Sequence, residues 1–134
     1  MNRPQVCVGA VVVEDDDLLL IRRGHGPAAG EWSVPGGRVE PGETLAEAVL
    51  RELEEETGVE GLCGPLLGWV ERIEEDHHLV ILDFTVTLLD RQEPVAGDDA
   101  LEAAWVPLAE VAELRLVEGL AEFLHEHGVL DTIV

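Results

Sequence analysis

A run of acidic side chains in residues 36–59, "GGRVEPGETLAEAVLRELEEETGV", is the part of this sequence best suited to chemistry. A helix drawn over it at about 100° per residue gathers its apolar residues on one face, namely Leu45, Ala48 and Val49. Further along, three glutamates fall on that same face: Glu52, Glu55 and Glu56. The spacing therefore predicts carboxylates that are turned toward the protein interior.

Such a cluster requires a source of positive charge. Crowded, partly buried carboxylates repel one another, and without compensation at least one would bind a proton. We expect Arg51 to lie toward the outer face with Glu47 and Glu54, so a divalent cation is the predicted solution. Oxygen ligands without histidine or cysteine suit Mg²⁺, with Mn²⁺ as a substitute, rather than zinc. The alternative, a solvated helix end rich in glutamate, would place the charges opposite the apolar residues.

Sequence signals define both ends of this helix. Thr44 followed by Glu47 is a capping box, in which each side chain binds a free backbone N–H of the first turn. Gly58 occupies the position of a left-handed C-terminal cap. The helix is therefore predicted to cover about residues 44–57, preceded by a glycine pair that lets the backbone approach a ligand closely.

The rest of the chain reads as strands with a few helices. Strands are predicted at residues 6–14, 18–24, 66–74, 78–90 and 101–107, and short helices at 108–114 and 117–128. Residues 25–37 and 92–99 contain glycine and proline and are predicted to be loop and turn. One helix inserted among strands predicts an α/β fold with a mixed sheet covered by helices.

Composition limits the partners. The 134 residues, expected to form one domain, carry 8 basic against 29 acidic side chains, for a net charge of −21. So acidic a chain is not expected to bind long nucleic acid or an anionic membrane. No apolar run approaches the ~20 residues of a membrane span and no signal peptide is evident, so we expect a soluble, cytoplasmic protein. Cys7 and Cys63 are expected to be buried free thiols.

The acidic helix and the glycines before it resemble the Nudix box, G-x5-E-x7-R-E-U-x-E-E-x-G-U with U apolar. Every position matches, through Gly37, Glu43, Arg51, Glu52, Leu53, Glu55, Glu56, Gly58 and Val59. The flanking stretches "GEWSVPGG" and "AWVPLAEV" also look like this family. The resemblance implies the Nudix fold, with a mixed β-sheet sandwiched between α-helices. It also implies metal-dependent hydrolysis of the pyrophosphate bond in a nucleoside diphosphate linked to another moiety.

The resemblance also implies roles for individual residues. The metal ligands would be Glu52, Glu55, Glu56 and the carbonyl of Gly36, while Glu43 and Arg51 would form a supporting ion pair. A carboxylate would accept the proton of the attacking water. Glu52 is one candidate for this base, and acids of later loops are others, as the base or as an extra metal ligand: Asp98, Asp99, Glu102, Glu74, Glu75 and Asp76.

Substrate contacts are predicted on both sides of the box. One of Arg22 and Arg23, at the end of a strand directed toward the box, is expected to reach a phosphate. Trp32 is the best-placed aromatic to stack on a base, and Gly37 allows close approach of phosphates. His78, with His77 beside it, follows a plausible substrate loop. Trp105, in an alternating strand, is expected in the core.

The sequence leaves the substrate open. A (deoxy)nucleoside triphosphate and ADP-ribose fit about equally well, because Glu74 and Glu75 stand where the typical ADP-ribose pattern has proline. The alternative from another class is a non-catalytic Nudix-fold regulator that binds nucleotides. Relatives that pair as dimers make a homodimer possible.

Overall fold

The computed structural model describes residues 3–26 and 28–131, in which five strands precede the first helix, and three strands and two short helices follow it. The strands are β1 (Gln5–Val11), β2 (Val13–Glu14), β3 (Asp17–Arg23), β4 (Trp32–Ser33), β5 (Gly36–Arg38), β6 (Leu62–Ile73), β7 (His78–Thr87) and β8 (Ala100–Pro107). The helices are α1 (Leu45–Thr57), α2 (Leu108–Val111) and α3 (Leu120–Glu126). Within the described part of the chain, no helix has the length and apolar character required to cross a membrane.

The first sheet has the strand order β5-β1-β7-β6 and is mixed. β1 and β7 run parallel, whereas β5 and β6 pair antiparallel with their neighbours. Parallel neighbours need a long crossover, and the chain between β1 and β7 contains α1. This topology brings β5, which directly precedes α1, to the edge of the sheet beside β1.

The second sheet is centred on β3, which pairs antiparallel with β8 along its length and with β2 and β4 near its two ends. Asp15 and Asp16 connect β2 to β3 with φ of 49° and 65°. Two consecutive left-handed residues match the right-handed twist of a tight hairpin, and aspartate tolerates that conformation better than most residues. This turn joins the strands predicted at residues 6–14 and 18–24.

Apolar side chains form two core clusters on opposite faces of the strands. Ala48, Val49 and Leu53 of α1 pack in the first cluster together with Leu19 of β3. The side chains next to Leu19 along β3, those of Leu18 and Leu20, point the other way, into the second cluster with α3. The α/β prediction, with strands between helices, is confirmed.

Several local predictions need correction. Residues 25–37 are not all loop, because β4 and β5 lie within them; these short strands form by pairing with β3 and β1 and leave no periodicity in the sequence. Leu45, the first residue of α1, is 37% exposed and therefore is not buried with Ala48 and Val49 as predicted. Cys7 is buried as predicted, but Cys63 is only partly buried; both are free thiols.

Candidate functional site

α1 begins and ends as its sequence predicts. The Thr44 hydroxyl accepts a hydrogen bond from the Glu47 N–H at 3.1 Å, and the Glu47 carboxylate accepts one from the Thr44 N–H at 2.8 Å. At the other end, Gly58 has φ of 72° and donates its N–H to the carbonyl of Glu54. These caps fix the rotation of the helix, and with it the direction of each glutamate.

Two box carboxylates meet at the glycine pair of β5. The Gly36 N–H donates to Glu56 Oε1 at 2.7 Å. The Glu52 carboxylate lies directly over Gly37, where an added Cβ would stand 2.5 Å from Glu52 Oε2. Gly37 is therefore required here by space rather than by backbone angle, because any side chain would displace Glu52.

Burial shifts the ionisation of both carboxylates to higher pH. It raises the pKa of Glu56 to about 7, against the opposing effect of the Gly36 N–H, and the negative charges of Glu52 and Asp98 raise it further. Burial likewise raises the pKa of Glu52, although Arg51 partly offsets the effect. The site therefore carries more negative charge than the described protein groups compensate.

Arg51 does not lie on the outer face, so that prediction is wrong. Its side chain is only 22% exposed, and its guanidinium donates to Glu43 Oε2 at 2.6 Å and to Glu52 Oε1 at 2.7 Å. A long flexible stem lets the charged group fold back from an outward Cα, which a helical projection of Cα positions cannot show. The Glu43–Arg51 ion pair implied by the resemblance is present. This hydrogen bond lowers the pKa of Glu43 to about 2.

Glu55 lies beside Glu52, because Arg51 Nη1 donates to both carboxylates, but it is the most exposed of the three glutamates. Its carboxylate is 43% exposed and pairs with Arg51 Nη1 at 3.2 Å, one helical turn back. The inward convergence predicted for three glutamates is therefore observed for Glu52 and Glu56, and the role of Glu55 as a metal ligand stays a prediction.

Of the loop acids that follow β7, Asp98 is the one whose charge acts on the box. Its negative charge raises the pKa of both Glu52 and Glu56, and it follows Gly97, whose N–H donates to the Glu56 carbonyl at 3.0 Å. Asp99 lies 3.7 Å from His25, and Glu102 is paired with Arg22 at 3.1 Å. The geometry therefore favours Asp98 over the other two as an additional ligand or base.

The two arginines of β3 have different surroundings. Arg22 donates its Nε to the Gly30 carbonyl at 3.1 Å and its Nη1 to Glu102, so its guanidinium is already engaged. The positive charge of Arg23 acts on Glu56, whose pKa it lowers, and Arg23 Nε is buried without a hydrogen-bond partner among the described residues. Of the two arginines, Arg23 is therefore the one whose charge acts on the box.

The described contacts of the aromatic and histidine candidates are with residues other than the two box carboxylates. Trp32 is in β4, packs against the second core cluster and accepts a backbone hydrogen bond from Val117 at 2.9 Å. His78 Nε2 is 3.0 Å from Glu71. Trp105 is partly buried against the first cluster, as predicted. Contacts of Trp32 and His78 with a substrate stay predictions.

A second acidic group lies in the turn between β6 and β7. One ligand atom each from Glu74, Asp76 and His77 lies within 4.8 Å of the others, and His77 pairs with both acids. The two acids are exposed, and Glu75 beside them is exposed as well. Exposure makes this group a weaker cation site than Glu52 and Glu56, because solvent already stabilises its charges.

Sequence reasoning missed the residues that hold Asp98 in place. Gln92, Val95 and Gly97 fix residues 88–99 against the end of α1 through side-chain and backbone hydrogen bonds. The composition of "QEPVAGDD" signals only a turn, and no local pattern predicts which distant carbonyls its N–H groups reach.

The residues at this site fit a divalent cation. The donors are carboxylate oxygens, which Mg²⁺ and Mn²⁺ prefer. The raised pKa of Glu56 is what an ion would reverse, since a cation stabilises the ionised form. Glycine at position 37 leaves the Glu52 carboxylate the space that it occupies over the backbone.

Comparison with known proteins gives a consistent result. The NUDIX domain profile matches residues 3–127. The ADP-ribose pyrophosphatase of Methanocaldococcus jannaschii is 38% identical over 113 residues, covering 83% of this chain and 66% of that protein. The human 8-oxo-dGDP phosphatase NUDT18 is 36% identical over 133 residues, covering 90% of this chain and 41% of that protein. The chain thus spans about two thirds or less of these relatives.

Among solved structures, a MutT NUDIX hydrolase from Burkholderia pseudomallei superposes with a TM-score of 0.81 at 31% identity. The match covers 92% of this chain and 97% of that one. The likeness therefore extends over nearly the whole of both chains.

Proposed function

This chain belongs to the Nudix hydrolase family, and we propose that it hydrolyses the pyrophosphate bond of a small nucleotide with a bound divalent cation. The observation that carries the proposal is the approach of Glu52 and Glu56 to the Gly36–Gly37 pair. Burying two neighbouring carboxylates costs stability unless a cation joins them. A protein without a cation-dependent activity would gain nothing from that cost.

Each protein group has a distinct task in this reaction. Glu52 and Glu56, with the carbonyl of Gly36, would hold the cation, and Glu55 is a further candidate. When bound, the ion would offset the negative charge of the pyrophosphate and polarise its oxygens. Arg51 orients Glu52 through a 2.7 Å hydrogen bond and ties it to the loop that carries Glu43.

Proton transfer and substrate binding fall to groups around the two carboxylates. The proton of the attacking water would pass to a carboxylate, with Glu52 and Asp98 as the candidates. Arg23, whose positive charge acts on Glu56, would donate from its guanidinium to a phosphate oxygen.

We propose ADP-ribose and (deoxy)nucleoside di- or triphosphates as the substrate classes to test. The two relatives are named for ADP-ribose and for 8-oxo-dGDP, and they are similarly identical to this chain. Both compounds contain a pyrophosphate attached to a nucleoside, which is the part that the Glu52–Glu56 site would recognise.

The test is product release from ADP-ribose, dGTP and 8-oxo-dGDP with millimolar Mg²⁺, comparing wild type with Glu56→Gln. The matched control is Glu54→Gln, which removes the same charge from an exposed position on the same helix. We expect turnover of at least one compound, a loss of roughly 100-fold or more in Glu56→Gln, and near-wild-type turnover in Glu54→Gln.

The products also identify the bond that is cleaved. AMP with ribose phosphate indicates ADP-ribose hydrolysis, whereas a nucleoside monophosphate with phosphate or pyrophosphate indicates the other class. Tight nucleotide binding without turnover of any compound would contradict the proposal and favour the non-catalytic regulator.

A further inference from the structure

The connection between β7 and β8, residues 88–99, contains no helix or strand, yet hydrogen bonds hold it to the body of the protein at several points. We call this segment the strap. Long irregular segments are usually free to vary in conformation, so repeated anchoring of one suggests that its position matters. The strap ends near the two box carboxylates. Its Gly97 N–H donates to the Glu56 carbonyl, and the charge of Asp98, its second-last residue, acts on both Glu52 and Glu56.

The first anchor is the side chain of Gln92. Its Oε1 accepts a hydrogen bond from the Glu60 N–H at 3.0 Å, and its Nε2 donates to the Glu60 carbonyl at 2.8 Å. One amide thus satisfies both backbone groups of a single residue, as a neighbouring strand would. Glu60 lies just after the Gly58 cap, so Gln92 fastens the strap to the chain that leaves α1.

The second anchor connects the strap to the core. Trp105 packs against the first core cluster and donates its indole N–H to the Gln92 carbonyl at 2.8 Å. The guanidinium of Arg91 lies 4.8 Å from the Trp105 ring centroid and donates to Asp17 at 2.8 Å. Gln92 is therefore held through both its backbone and its side chain.

Beyond Gln92 the strap follows the last turn of α1. The Val95 N–H donates to the Thr57 carbonyl at 2.9 Å, and the Gly97 N–H donates to the Glu56 carbonyl at 3.0 Å. The last carbonyls of a helix have no partners within it, so the strap satisfies groups that would otherwise need water. An added Cβ on Gly97 would collide with the Glu55 carbonyl, which shows how closely the two backbones approach.

Asp98, the residue after Gly97 in the strap, has an uncommon backbone conformation. Its φ of 47° lies in the left-handed region, which costs free energy and persists where the surroundings determine it. Its charge acts on both Glu52 and Glu56.

We infer that Gln92 is a positioning residue: its clamp on Glu60 holds the strap so that Asp98 faces Glu52 and Glu56 as a third acid of the cation site. This inference rests on the proposed function, since it assigns the cation to the same carboxylates. Gln92 itself touches none of the three acids in the described contacts and acts through the strap backbone.

The test is a double-mutant cycle read out by Mn²⁺ affinity, measured from the paramagnetic resonance signal of free Mn²⁺. The four proteins are wild type, Gln92→Ala, Asp98→Asn and the double variant. We expect Gln92→Ala and Asp98→Asn each to weaken Mn²⁺ binding by roughly 10-fold, the scale for groups that orient metal ligands. The double variant should bind about as weakly as Asp98→Asn alone. Once the carboxylate at position 98 is absent, losing the Gln92–Glu60 hydrogen bonds has no further effect on Mn²⁺.

Val95→Ala is the matched control, because it shortens an exposed strap side chain without changing charge or any hydrogen bond described for the strap. It should bind Mn²⁺ like wild type. If Gln92→Ala does not fold, Gln92→Asn takes its place, since the shorter amide cannot span both groups of Glu60. Circular dichroism and melting temperature establish folding before affinities are compared.

Two outcomes overturn the inference: unchanged Mn²⁺ affinity in Gln92→Ala or in Asp98→Asn, or independent losses that multiply in the double variant. Different outcomes contradict the proposed function and the role of Gln92. Coupled Mn²⁺ affinities with no turnover of any nucleotide would contradict hydrolysis alone, whereas turnover without coupling would contradict only the role of Gln92.

Discussion

Gly36 and Glu56, twenty positions apart, are joined by a 2.7 Å hydrogen bond from the glycine N–H to the carboxylate Oε1. This bond ties the edge strand β5 to the last turn of α1. It also orients one of Glu56's two oxygens and leaves the other available to a cation. The precision of the site therefore depends on the backbone of the glycine pair as well as on the acids.

Gly37→Ala should disable the site while leaving the fold intact. The new Cβ would stand 2.5 Å from Glu52 Oε2, and the carboxylate, as the far end of a flexible side chain, would move aside. We expect Mn²⁺ affinity and kcat/KM to fall by roughly 10-fold or more, because a ligand is displaced. Titration with Mn²⁺ and nucleotide hydrolysis measure the two effects.

Gly64→Ala in β6 is the control for that variant. Its Cβ would meet Thr85 Oγ1 at 2.9 Å, which is also a close contact but lies on the edge strand away from the box. It should lower the melting temperature without changing Mn²⁺ affinity. Equal affinities in Gly37→Ala and wild type would show that Glu52 does not need its present position.

Stabilisation by Mg²⁺ should increase as pH rises through 7. The pKa of Glu56 is raised from 4.5 to about 7 without metal. Its favourable contribution to the free energy of unfolding is therefore complete below pH 4.5 and is lost as pH rises through 7. A cation binds the ionised form and recovers that loss. Thermal melts should show a small Mg²⁺-dependent rise at pH 5.5 and a larger one at pH 8.

In Glu56→Gln the Mg²⁺-dependent rise at pH 8 should shrink, while Glu54→Gln should keep it. The same rise at both pH values, or in both variants, would mean that the ions stabilise the protein elsewhere, for example at Glu74, Asp76 and His77.

Glu43→Gln should destabilise the protein at neutral pH but not in strong acid. The hydrogen bond from Arg51 lowers the pKa of Glu43 from 4.5 to about 2, so the ion pair contributes fully above pH 4.5 and is lost as pH falls through 2. The difference in melting temperature between wild type and Glu43→Gln should be largest above pH 5 and close to zero at pH 2. A constant difference across that range would rule out the ion pair as its source.

Residues whose contacts are local in sequence were predictable. The caps of α1, its bounds and the inward direction of Glu52 and Glu56 follow from spacing along one helix. The position of Arg51 did not follow from spacing. Its side chain has four rotatable bonds, and the contacts it makes with Glu43 and Glu52 depend on the three-dimensional position of those groups. The exposure of Leu45 did not follow either, because a helical projection gives the face of a residue but not how far other elements cover it.

Residues whose contacts are distant in sequence were not predictable. β4 and β5 consist of two and three residues, and only their partners in β3 and β1 make them strands. The choice between Arg22 and Arg23, and among Asp98, Asp99 and Glu102, required the register of β3 against β8 and the path of the strap.

Asp83→Asn should stabilise the protein at pH 8 more than at pH 4. Asp83 is 5% exposed and its Oδ1 has no hydrogen-bond partner among the described residues; burial raises its pKa from 3.8 to about 6, against the opposing charge of His127. The favourable contribution of Asp83 to the free energy of unfolding is therefore complete below pH 3.8 and is lost as pH rises through 6. Relative to wild type, the variant should gain roughly 1–3 kcal/mol in unfolding free energy between pH 4 and pH 8.

Urea unfolding at the two pH values measures this gain, with exposed Asp131→Asn as the control. A gain of equal size at both pH values would indicate that packing, and not ionisation, explains the effect.

Arg23→Gln should impair nucleotide hydrolysis much more than Arg22→Gln. Arg22 is engaged by Glu102 and the Gly30 carbonyl, whereas Arg23 acts on Glu56 and has an unpartnered Nε. Loss of a charge-assisted hydrogen bond to phosphate should lower kcat/KM by roughly 10- to 100-fold. Loss of the exposed Arg22–Glu102 pair should change it by less than about fivefold. Steady-state kinetics on the best substrate measures both, and a larger defect in Arg22→Gln would mean that the phosphate chain approaches from the opposite face of β3.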